Sequence, residues 1–122
     1  MQHIGIDIVE ISRIRKAVAE RGDGFLKRVY TPEEVKLYRN KIPSLAARFA
    51  GKEAVIKALG ITDKGIGLSQ IEILSDEFGR PTVSLHGKAM KQAQEFGIKE
   101  IAISLSHSRS YAVACAISQS ED

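Results

Sequence analysis

A chain of 122 residues with 43% hydrophobic and 27% charged residues has the make-up of one globular domain spanning residues 1–122. No apolar run approaches the ~20 residues of a membrane span, no signal-peptide pattern opens the chain, and the lone Cys115 excludes an intrachain disulfide framework, so a cytoplasmic protein is expected. The net charge of +3 is uneven: in residues 13–28, Arg13, Arg15, Lys16, Arg21, Lys27 and Arg28 stand against Glu20 and Asp23, a local +4 that suits an acidic partner or a solvated helix face.

Residues 3–11 (HIGIDIVEI) read as a strand, with Ile4, Ile6 and Ile8 on one face and Gly5, Asp7 and Val9 on the other. A short helix is expected over residues 12–20 with Ser12 as its cap, broken by Gly22 and Gly24, after which Phe25 sits as an apolar residue among the basic ones. Thr31, Pro32 and Glu34 form a helix start with a capping box, and that helix should run to about Asn40. The next helix covers residues 44–60 (SLAARFAGKEAVIKALG), capped by Ser44 and ended by Gly60, with Gly51 inside it implying a close neighbour. A connector over residues 62–69 leads to a strand at 70–74, a turn at 76–79 and a returning strand at 81–85 that opens on Pro81. A helix over 86–96 closed by Gly97, then strands at 100–106 and 111–118 joined by His107-Ser108-Arg109-Ser110, complete the chain. Hairpin-linked strands interspersed with helices define an α+β class, a mainly antiparallel sheet packed with helices.

The helix at 44–60 is apolar on nearly every side, yet it carries Glu53 and Lys57 on the line of Ala46 and Ala50, and Arg48 and Lys52 on another side between Val55 and Leu59. A buried carboxylate needs a partner. For Glu53 that partner is either Lys57 four residues on or a metal ion or phosphate ligand. Asp7 sits in the middle of a β-branched run, where Asp is disfavoured, and Gly5 leaves open space beside it. Asp7 is therefore either on a solvated sheet face or a second carboxylate of the same cleft, and two carboxylates plus substrate phosphates and water is how Mg2+ is usually held. His107, at a strand end in a loop of small polar residues, is either an incidental loop histidine or a side chain facing a cleft. Cys115 reads as a buried small hydrophobe. Cys/His spacing of the zinc type and glycine patterns of the nucleotide-binding type are absent from the sequence.

The segments GIDIVEI (5–11) with Arg13-Ile14, RFAGKEA (48–54) with KALG (57–60), GRP (79–81), and SLSHS (104–108) with YAV (111–113) occur in an order that resembles the holo-acyl-carrier-protein synthases, the small bacterial type of phosphopantetheinyl transferase. The resemblance runs essentially end to end and implies the 4′-phosphopantetheinyl transferase-like fold. It also implies Mg2+-dependent transfer of the 4′-phosphopantetheine arm of coenzyme A to a serine of apo acyl carrier protein, releasing adenosine 3′,5′-bisphosphate in support of fatty acid biosynthesis. By that resemblance Asp7 and Glu53 hold the metal, and Lys57 contacts phosphate and stabilises charge. Arg48, Pro81, His107 and Ser108 contact coenzyme A, and the serine proton goes to Glu53 or to a metal-bound water. Arg13, Arg21, Phe25 and Arg28 fall on the surface that docks the acidic carrier protein, with Phe25 as apolar anchor. A homotrimer with sites between subunits is implied too.

Two other functions remain open to the residues themselves. A nucleic-acid-binding module would use the basic region, but Phe25 and Tyr30 are the only aromatics nearby for stacking. A metal-dependent phosphohydrolase would use the same acids and lysine with water as acceptor. This sequence departs from the family at Gly51, where Ala is common, and at Ile56, where Ser is common.

Overall fold

The computed structural model describes residues 1–62 and 65–121. Strand β1 (Gln2–Glu10) leads into helices α1 (Ile11–Arg21), α2 (Asp23–Val29), α3 (Pro32–Tyr38) and the long α4 (Ile42–Leu59). A single 3-10 turn at Leu68–Gln70 precedes β2 (Ile71–Ser75) and β3 (Pro81–Leu85). Then come α5 (Gly87–Glu95), β4 (Ile98–His107) and β5 (Tyr111–Ser120). Residues 63 and 64 of the expected connector lie outside the described residues.

All strand pairs are antiparallel, in a three-stranded sheet ordered β1-β5-β4 and a separate β2-β3 hairpin. The α+β expectation holds. The local signals read from the sequence are mostly the ones used. Thr31 and Glu34 close both arms of the capping box, and Gly60 ends α4 in the left-handed region at φ 68°. Two helix starts differ. Neither Ser12 nor Ser44 is a cap: α1 begins directly at Ile11 as the strand ends, and α4 begins at Ile42 with Pro43 in its first turn. The basic stretch also holds a helix not foreseen, α2, separated from α1 by Gly22 at φ 52°.

Helix α4 lies against β1, β5 and β4 on one side and against α1, α3 and β2 on the others, so its apolar surface is enclosed nearly all round. Its approach to β1 is set by Gly5. A methyl group there would run into the Ala54 carbonyl and come within 2.7 Å of the Ala58 nitrogen. Gly5 thus leaves no open space beside Asp7. It is the point where strand and helix backbones touch. Gly51 is small for a similar reason, since an added Cβ would meet Ile73 Cδ1 at 2.6 Å and Ile103 and Leu105 at 3.1 Å.

The core is continued by Ile11, Ile14, Phe25, Leu26, Val29 and Tyr30 from the helices and by Ala112, Ala114 and Ala116 of β5. The reverse face of the three-stranded sheet is bare. Ile4, Ile6 and Ile8 are 68%, 60% and 62% exposed. Their cross-strand neighbours on β5 are Ile117, Cys115 and Val113. Cys115 is half-buried on this open face, not a core residue.

Candidate active site

The alternation of β1 turns Gly5, Asp7 and Val9 toward α4, and the helical period turns Glu53 and Lys57 toward β1. Because β1 is an edge strand, its outward carbonyl at Ile6 is available, and Lys57 Nζ donates to it at 2.9 Å. The same ammonium reaches Asp7 Oδ1 at 3.3 Å. The Lys57–Glu53 ion pair, one of the two partners open to Glu53 from the sequence, is not formed: Lys57 pairs with Asp7 instead. Glu53 is half-buried, and its carboxyl is pushed above the usual carboxylate range, first by burial and then by the charge of Asp7, with Lys57 pulling the other way. A hollow of about 300 Å³ lined by Ile6, Asp7, Ile8, Lys57 and Val113 opens beside them.

The remaining predicted residues lie elsewhere in the single chain. Arg48 is buried, and its guanidinium is shared among the Ile73 carbonyl at 2.9 Å, the Tyr38 hydroxyl at 3.0 Å, Ser75 Oγ at 3.2 Å and the Ser44 carbonyl at 3.5 Å. It also stacks 3.8 Å over the Tyr38 ring. Pro81 is half-buried and pairs with Ser75 at the turn end of the hairpin. His107 is exposed as the last residue of β4, separated from Val9 by Ala112 of β5 and so about 10 Å from β1. Ser108 closes the turn: its amide donates to the Tyr111 carbonyl at 2.8 Å, and its Oγ accepts from the Tyr111 amide at 3.3 Å.

On the basic surface, Arg13, Arg21 and Arg28 are exposed. Phe25 is a correction. It is 6% exposed, edge-on to Tyr30 at 6.1 Å, with Arg21 held 5.3 Å over its ring. A Phe on the inner side of a seven-residue helix belongs to the core and offers no anchor to a partner.

The sequence reading missed a buried charge cluster. Lys52 and Glu34 are both fully buried and paired at 2.7 Å. Lys52 also donates to the carbonyls of Leu68 and Ile71. Glu34 accepts from the Thr31 amide at 2.9 Å and the Ile73 amide at 2.7 Å. Burial pulls the Lys52 ammonium down, against the holding effect of Glu34. Thr31 Oγ1 donates to Glu72 at 2.6 Å, and Glu72 lies 3.4 Å from His86. The available signal was Lys52 on an enclosed helix together with a capping-box glutamate whose second oxygen had no assigned donor.

The model of the 4′-phosphopantetheinyl transferase superfamily matches residues 3–116, and the chain belongs to that superfamily. It is accordingly a transferase, and the family resemblance read from its motifs is borne out. A holo-[acyl-carrier-protein] synthase of Dehalococcoides mccartyi is 50% identical over 119 residues, covering 98% of this chain and 99% of the relative. One from Halothermothrix orenii is 45% identical over 119 residues, with 95% of each covered. The crystal structure of Helicobacter pylori holo-[acyl-carrier-protein] synthase in complex with coenzyme A superposes with a TM-score of 0.86 at 34% identity, covering 95% of this chain and 99% of that one.

Proposed function

We propose that this chain, acting as one domain in the cytoplasm, transfers the 4′-phosphopantetheine arm of coenzyme A to a serine hydroxyl of an apo acyl carrier protein. The observation that carries the reading is the meeting of Asp7, Glu53 and Lys57 at the contact of β1 with α4, in a chain 50% identical to a holo-[acyl-carrier-protein] synthase over nearly its whole length.

The acids suit Mg2+. They lie near enough for Asp7 to raise the cost of charge on Glu53, and among the described residues no third His, Cys, Asp or Glu joins them. Two carboxylates, with the remaining coordination left to substrate phosphates and water, is a common magnesium arrangement. Asp7 and Glu53 would hold Mg2+ there, which would supply positive charge to neutralise the diphosphate. The serine oxygen attacks the phosphorus next to the pantetheine; that O–P bond forms as the bond to the adenosine-side phosphate breaks, and adenosine 3′,5′-bisphosphate leaves. Glu53 or a water on the metal would accept the serine proton, and Lys57 would meet the charge developing on the phosphate oxygens.

The bare isoleucine face of β1 supports an interface between copies of the chain, and the family resemblance makes that assembly a homotrimer. In it, the His107–Ser108 turn and Pro81 of one copy line a coenzyme A site whose acids come from another. Arg48 serves that site by fixing β2 to α3 and α4. Arg13, Arg21 and Arg28 are the pairing groups for an acidic carrier protein. Intact mass of an apo carrier protein, after incubation with this chain, coenzyme A and Mg2+, should rise by one phosphopantetheinyl unit. D7N and E53Q should each abolish the gain. No gain with the parent chain, or full gain with either variant, overturns the reading.

A further inference from the structure

Lys57 does something that phosphate binding alone does not require. Its ammonium is held at two points, the Ile6 carbonyl at 2.9 Å and Asp7 Oδ1 at 3.3 Å, and both lie on the strand that supplies the first acid. It thereby sets a positive charge against the first acid, and among the described residues no ion pair within 4 Å reaches Glu53. The side chain is 54% exposed, so it is free to swing on its four-carbon stem. A monovalent charge sitting beside a carboxylate repels an arriving cation by an amount that matters even in a watery surround.

We infer that Lys57 is a placeholder cation: it stays on Asp7 until the phosphates of the substrate draw it off, so divalent cation and anionic substrate bind cooperatively. The inference rests on the transferase reading for the identity of the substrate, but it concerns the order and coupling of binding. Two like charges cannot share Asp7 cheaply. An anion that takes over the ammonium therefore opens the acid to the metal, and by linkage the metal improves anion binding by the same factor.

The test is Mn2+ binding followed by electron paramagnetic resonance, with and without coenzyme A, on the parent chain, K57Q and K57R. Without coenzyme A, K57Q should bind Mn2+ about tenfold more tightly than the parent, because the competing charge is gone. K57R, which keeps the charge, should stay close to the parent. Coenzyme A should tighten Mn2+ binding in the parent by a clearly larger factor than in K57Q. In the unaltered chain, acetylation of Lys57 measured by mass spectrometry against exposed Lys91 should rise several-fold when Mn2+ is added. Equal or weaker Mn2+ binding in K57Q, a coupling factor untouched by the substitution, or unchanged Lys57 labelling overturns the inference. Transfer is read separately by carrier-protein mass. A chain that transfers yet fails these tests therefore refutes only the placeholder role, and one that passes without transferring refutes only the reaction.

Discussion

Glu53 sits where its charge is costly, half-buried and near a second carboxylate. Its proton affinity in the folded chain is raised above that of an ordinary glutamate, so above that range folding is opposed by the need to ionise it. As the pH falls below about 4.3 the group is protonated in both states and the opposition disappears. E53Q should therefore melt higher than the parent at pH 7, by a free energy below about 1 kcal/mol given the partial exposure. That advantage should shrink on acidification toward pH 4 while transfer is lost at every pH. Calorimetry across a pH series checks the sign. An inactive but sturdier variant is the usual mark of a group kept for function. The acids and Lys57 were legible in the sequence because each breaks its local pattern: an aspartate in a β-branched run, charges on an enclosed helix. The Lys52–Glu34 pair was harder to read, because 18 residues separate its members and Glu34 already had a local job as a cap.

Among the elements, the contact of β1 with α4 fixes how the acids meet, and it depends on a missing side chain. G5A places a methyl against the backbone of α4, at Ala54 and Ala58, where nothing can rotate away. The expected loss is about 3 kcal/mol or more, read as a lower denaturant midpoint. By contrast, G51A meets the tips of Ile73, Ile103 and Leu105, which can turn, and should cost less than G5A. The strands, the capping box and the Gly60 stop were visible from periodicity and turn chemistry. The side of β1 that faces inward was not. Its isoleucines promise a core face, yet the core takes the glycine, the aspartate and a single valine. Apolar pattern cannot distinguish a face covered by the same chain from one awaiting another copy.

For the whole molecule, that bare face makes a direct prediction. I6E places a charge among Ile4, Ile8 and Cys115 without touching the packed side of the sheet. It should reduce a species of three chains to one of 13.4 kDa, with an unchanged circular dichroism spectrum and little transfer. Sedimentation with and without the substitution checks it. Helix α4 has a wider consequence. Gly51 is pressed on the sheets, Lys52 is spent on α3, Arg48 on the hairpin and Glu53 on the edge strand. With those sides of the rod committed, a substitution there disturbs a second element at once, whereas the half-buried line through Ile56 and the exposed outer sides of α1, α3 and α5 have room to vary.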